Sequence, residues 1–190
     1  MRHPLIQAFI LFFTLLVCHP LSAQDVCLTA DERKLFDLLT AYRKSKKLSV
    51  IPYSAKLTRV AQAHVRDLAA HFDYENRGDC NPHSWSTNGD WTPCCYTSDH
   101  KQAACMWNKP REIAGYESEG YEIAFFSSDG ADAEESLAGW KASPAHNPVI
   151  VNGGTWKDVS WKAVGVGIYG NYAVVWFGVL EDVSTITVCK

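Results

Sequence analysis

The chain has 190 residues, of which 47% are hydrophobic and 21% charged, with a formal net charge of −3. That length suits one domain able to bury a substantial core. The acidic balance argues against a nucleic-acid partner: the one basic block, Arg43-Lys44-Ser45-Lys46-Lys47, reads as a solvated helix end where cations suit the dipole.

The chain opens as an export signal. Arg2 and His3 are followed by an almost wholly apolar run from Leu5 to Val17, then Pro20 and the small residues Ser22 and Ala23. The run is shorter than the roughly 20 apolar residues that span a bilayer, and its layout is that of a cleavable secretory segment. The expected division is therefore residues 1–23 as signal peptide and 24–190 as a single domain starting at Gln24. A lipid on Cys18 and an uncleaved anchor are the alternatives. No second membrane span follows, so the expected location is secreted or periplasmic.

Of seven cysteines, Cys18 leaves with the signal, and Cys27, Cys80, Cys94, Cys95, Cys105 and Cys189 remain. An even number in an exported chain reads as a disulfide framework. No Cys-x-x-Cys pair occurs, which argues against a zinc ribbon. Cys27 and Cys189 flank the domain and are expected to staple its ends. Among the other four, Cys80–Cys94 with Cys95–Cys105 is expected first and the crossed pairing second.

Thr29-Ala30-Asp31-Glu32 is a capping box that should start a helix, with Leu35, Phe36, Leu38, Leu39 and Tyr42 as its apolar face. Pro52 breaks it, and Ser54 can cap a second helix carrying Leu57, Val60, Ala61, His64, Val65 and Leu68 at helical spacing. His64 falls inside that stripe and reads as a core histidine bonded to one partner. His71, seven residues on, is read the same way. Residues 74–118 look irregular, and a stretch that long needs cross-links or a function. Trp85, Trp91, Tyr96 and Trp107 punctuate it, either as a local core around disulfides or as an aromatic platform for sugar rings. Tyr121 to Phe126 reads as a strand, and Asp132 to Trp140 as a helix stopped by Ser143-Pro144. Residues 163–179 read as a hairpin turning at Tyr169-Gly170-Asn171. Gly165 and Gly167 on one strand face imply close approach by another element.

Trp140-Lys-Ala-Ser-Pro-Ala-His146-Asn resembles the bacterial signature of the CAP superfamily (cysteine-rich secretory protein, antigen 5, pathogenesis-related 1), here of SCP-domain type. Ala163-Val-Gly-Val-Gly-Ile-Tyr169 resembles the strand that follows it, and Tyr172 to Phe177 the final aromatic strand. Asn81-Pro82-His83-Ser84-Trp85 sits where that family has its first site histidine. The resemblance covers about residues 30 to 180. It implies a disulfide-stabilised α/β (α+β) fold, an α-β-α sandwich in which helices flank a small antiparallel sheet.

It also implies a cleft with two histidines and acidic residues. His83 and His146 match the histidines. The family's Gly-Glu-Asn segment is matched by Gly120-Tyr121-Glu122, which puts Tyr121 at the acid's place and Glu122 one residue on, facing the opposite side of a strand. A bulge would return Glu122 to the cleft, or Glu119 would serve. The second acid has no counterpart after Trp140, where Ser143 stands.

His83, Glu122 and His146 are thus the candidate ligand or metal cleft, with His83 and His146 as the ligands of zinc or another divalent cation. The same residues would also serve as a structural polar cluster. The implied function is an extracellular binding module for a metal ion, a small apolar or lipid-like ligand, a glycan or a protein. The alternative is a metal-assisted extracellular hydrolase using His83 and His146, or acid–base chemistry by the two imidazoles without metal. A serine hydrolase is disfavoured because no Gly-x-Ser-x-Gly occurs, and a cysteine protease because the cysteines are committed to bridges.

Overall fold

The computed structural model describes residues 26–190. The expected signal peptide, its cleavage after Ala23 and Cys18 lie outside the described residues.

The two leading helices form where their caps place them. In α1 (Ala30–Ser45) the Thr29 hydroxyl accepts from the Glu32 amide at 3.1 Å, and Glu32 accepts from the Thr29 amide at 2.8 Å. The Glu32 carboxylate is buried and also accepts from Gln62 and from the Ile168 amide. In α2 (Ala55–His71) the Ser54 hydroxyl accepts from the Leu57 amide and donates to Asp182 at 2.6 Å. The basic block is not wholly solvated. Arg43 is buried, and its guanidinium donates to the Ile150 carbonyl at 2.5 Å, the Asn152 side chain at 2.7 Å and the Ser49 carbonyl at 3.1 Å.

Residues 74–118 are less irregular than expected, because α3 (Ala103–Trp107) and α4 (Lys109–Ala114) lie within them. Pro110 at the start of α4 and Gly115 in the left-handed conformation at its end are the usual helix punctuation. Strand β1 (Gly120–Phe126) is followed by α5 (Ala133–Ala142), capped by Asp132, and α6 (Asn147–Val151). The hairpin is β2 (Ala163–Tyr169) and β3 (Tyr172–Gly178). Strand β3 stops one residue short of the expected Val179. The Tyr116 hydroxyl takes over there, accepting from the Leu180 amide and donating to its carbonyl.

The sheet is antiparallel with order β1-β3-β2, so the hairpin's second strand is central and β1 is an edge. One face packs Ile123, Val166, Val175 and Phe177 on α1, α5 and Trp140. The other packs Val174 and Trp176 on α2, Trp85, Tyr96 and Met106. Two cores on opposite faces of one sheet make the α-β-α sandwich. Each fully buried large apolar side chain contributes about 1.5–3 kcal/mol. Gly165 and Gly167 explain how closely α2 approaches: a Cβ on Gly165 would lie 2.2 Å from the Leu57 carbonyl carbon, and one on Gly167 2.6 Å from that of Ala61.

Among the described residues there are three disulfides. Cys27–Cys189 joins the ends, reinforced by main-chain bonds of Leu28 with Thr187 and Cys189. The inner pairs are Cys80–Cys95 and Cys94–Cys105, which corrects the first expectation in favour of the crossed pairing. The reason is local. Cys94 pairs main chain to main chain with Trp85 in an antiparallel bridge, and neighbours in extended chain point opposite ways. Cys94 is therefore buried beside α3, which carries Cys105, while Cys95 is exposed on the side of Cys80.

Candidate functional site

His83 stands on a turn fixed from both sides. The Asn81 side chain accepts from the His83 amide at 3.0 Å, and the Asn81 amide donates to the Tyr96 carbonyl at 2.8 Å. Glu122 is the third residue of β1, in register with Trp176 and Gly165, and so faces α2. That register is unbroken from Gly120 to Phe126. No bulge is needed to bring Glu122 to the site, because β1 is the edge strand and both of its faces border the same cleft. Tyr121 enters that cleft from the other face, its ring 5.2 Å from Trp156 and 5.6 Å from Trp107. Glu119 is exposed and accepts from the Tyr121 hydroxyl instead.

The Glu122 side chain is fully buried between two imidazoles. His83 Nδ1 lies 2.8 Å from Oε2 and His64 Nδ1 lies 2.5 Å from Oε1. His64 is itself fully buried, stacked on Trp85 at 4.1 Å with the rings 7° from parallel, and its Nε2 is 3.0 Å from the Ser84 carbonyl. Burial pushes the Glu122 carboxyl up, but His64 and then His83 outweigh it, and the net shift is below the ordinary carboxylate value. The core-histidine reading of His64 holds, with two partners rather than one. Its membership of this polar group is what the sequence did not reveal. His71 is different: it ends α2 in solvent.

His146 follows α5 on the Ser-Pro turn, where the Ser143 hydroxyl accepts from its amide at 3.3 Å. Ser143, at the place where the resemblance implied a second acid, thus shapes the turn that presents the histidine. His146 and His83 line one cleft of about 420 Å³. Burial and then the nearby His83 lower the pKa of His146, favouring its neutral form. The opposite walls are apolar and aromatic: Met106, Trp107, Tyr121, Val149 and Trp156. Of the aromatics in residues 74–118, Trp85 and Tyr96 are buried and Trp91 packs against the same core, as the local-core reading holds. Trp107 packs there too and also borders the cleft.

Residues 36–179 match the profile of the Cysteine-rich secretory protein family, CAP. The chain belongs to this family. No curated protein matches it. Among solved structures, the CAP chain is similar to an extracellular protein containing an SCP domain from Bacillus anthracis, with 17% identity, a TM-score of 0.53, and coverage of 77% of this chain and 39% of that one. It is also similar to an outer surface protein from Borrelia burgdorferi, with 17% identity, a TM-score of 0.49, and coverage of 78% and 91%. The Bacillus likeness concerns the fold, and the CAP chain spans well under half of that protein's length.

A metal ion in the CAP cleft would need donors that converge on one point. Three imidazoles, His83, His100 and His146, border the cleft, but His100 Nδ1 lies 2.7 Å from the Tyr96 hydroxyl, and both Glu122 oxygens already face histidine nitrogens. Among the described residues no group of three His, Cys, Asp or Glu side chains is arranged to hold a metal ion. A resident zinc with three protein ligands does not fit these residues.

A second cavity, about 390 Å³, lies between the end of α2 and the bridged loop, bordered by Asp67, His71, Arg77 and Trp85. Both Asp67 oxygens there are taken by the Ser86 amide and hydroxyl.

Proposed function

We propose that this CAP domain is an extracellular binding module, released by removal of residues 1–23, that takes a small organic ligand in the cleft between His83 and His146. The observation that carries the reading is the composition of that cleft. It sets the imidazoles of His83, His100 and His146 and a buried carboxylate against aromatic and aliphatic walls in about 420 Å³. Pockets for small molecules are typically of this kind, apolar with a few fixed polar groups. Three disulfides suit an oxidising compartment outside the cytoplasm. The metal-assisted hydrolase reading is set aside because, among the described residues, the cleft's histidines do not come together with a third ligand in an arrangement that would hold an ion.

The test is fluorescence. Trp107 and Trp156 border the cleft, so a bound compound should change tryptophan emission. Neutral aromatic and amphiphilic compounds are titrated into the wild type and into Ala145→Trp, which obstructs the cleft at an exposed position. Saturable binding by the wild type that Ala145→Trp abolishes supports the module. Equal binding by both removes the cleft from consideration.

A further inference from the structure

We infer that buried His64 fixes the proton arrangement of the cleft. It makes the polar end a hydrogen-bond acceptor at His83 Nε2, so that the ligand class is a neutral hydroxyl-bearing molecule rather than an anion. The inference deepens the binding-module reading and rests on it for the ligand, but not for the protons.

The argument begins at the one group that has no choice. The Ser84 carbonyl only accepts, so His64 Nε2, 3.0 Å away, carries a hydrogen and donates to it. His64 Nδ1 and Glu122 Oε1 are 2.5 Å apart, and two lone pairs do not sit at that separation. A proton therefore lies between them. Whether that proton belongs to the imidazole or to the carboxyl, it lies on the Oε1 side, and Oε2 is left as an acceptor. His83 Nδ1, 2.8 Å from Oε2, must then supply the hydrogen. A neutral His83 so oriented keeps its lone pair on Nε2. Among the described residues that nitrogen has no protein partner, and the ring is partly exposed at the cleft.

His64 is held for this task on every side. Trp85 covers one face of its ring, Trp176 meets it edge-on at 6.5 Å, and the ring is closed to solvent. It touches no ligand space itself, because His83 and Glu122 stand between it and the cleft. It is a positioning residue acting through Glu122. An acceptor facing aromatic walls matches a hydroxyl on an apolar ring. A carboxylate would bring a second set of lone pairs to Nε2, and an ether would bring no donor.

Two arms test this. In the disulfide-intact protein, long-range proton–nitrogen correlation spectra of the histidine rings, recorded at about pH 8 where histidine is ordinarily neutral, report which nitrogen of each ring is protonated. The expected result is hydrogen on Nδ1 of His83 and on Nε2 of His64. Hydrogen on His83 Nε2 overturns the inference whatever the cleft binds. His64→Gln, whose amide can still donate to Glu122, should keep the His83 form. His64→Leu should lose it, and an unchanged His83 in a folded His64→Leu shows that His64 does not set it. In the second arm a naphthol, its methyl ether and the corresponding naphthoate are titrated into the wild type. The naphthol should bind at least about tenfold tighter than the other two, the cost of leaving a buried acceptor unmet. Equal binding of all three in the cleft refutes the acceptor role while leaving the module intact. Binding of none in the cleft refutes the module, and the nitrogen spectra still decide the role of His64.

Discussion

Gly165 of β2 lies directly against the main chain of Leu57 in α2, with no room between them for a methyl group. One helical turn on, Gly167 stands in the same relation to Ala61. These two contacts set the distance between α2 and the sheet, and so the place of His64 above Glu122. Gly165→Ala must push α2 away and is expected to cost about 1–3 kcal/mol or more, as overpacking does. Thermal melting should show a drop of about 2–4 °C for each kcal/mol in a domain of this size. An unchanged melting temperature would mean that the helix yields without cost.

Arg43 joins α1 to the end of α6 through the Ile150 carbonyl and Asn152, and to the loop after α1 through the Ser49 carbonyl, without any carboxylate. Arg43→Met keeps much of the stem and removes the donors, leaving the buried Ile150 carbonyl unmet. The expected loss is about 1.5–3 kcal/mol, read by denaturant unfolding. Lys44→Met, one residue on and exposed, should cost little, and equal losses for the two would show that charge rather than these bonds matters.

The disulfides predict a specific peptide map. Non-reducing digestion should recover Cys80 linked to Cys95 and Cys94 linked to Cys105. Replacing Cys27 and Cys189 by serine should cost about 2–5 kcal/mol, because that bridge closes nearly the whole chain. Cys27 linked to any other cysteine would refute the terminal staple.

Acid should loosen the site in two stages. The folded His146 has a lowered pKa, so the unfolded chain binds more protons as pH falls below about 6.5. Stability is then full above that value and declines below it, until the folded group also protonates. Glu122 is lowered too, through His64 and His83. Its contribution is present above the ordinary carboxylate value of 4.5 and is lost as pH falls through the lower folded value. Unfolding midpoints measured from pH 8 to 3 should show both declines, with His146→Gln flattening the first and Glu122→Gln the second. A wild-type profile that rises as pH falls through 6.5 would contradict the first assignment.

The sheet, α1 and α2 were legible because their signals are local: a capping box at Thr29, a serine cap at Ser54, and alternation on either side of Gly170. The opposite facing of Tyr121 and Glu122 was legible for the same reason. What sequence alone did not yield is that β1 is an edge strand, so that both faces reach one cleft and no bulge is required. Nor did it yield the partnership of His64 with Glu122, since the residues are 58 positions apart and only the α2–sheet contact joins them. The short helices α3, α4 and α6 are each a turn or so long, too brief for periodicity to register. Pro110 with Gly115 was the available signal for α4. The cysteine pairing turned on the Trp85–Cys94 bridge, a contact that spacing does not encode.

The site itself is tested most directly by histidine imidazole resonances followed while a naphthol is added. Occupation of the cleft predicts saturable shifts at His83 and His146 with one common affinity, and none at His71, which borders the second cavity. Shifts at His71 with His83 and His146 unmoved would contradict the assignment and place the binding site at the far side of Trp85.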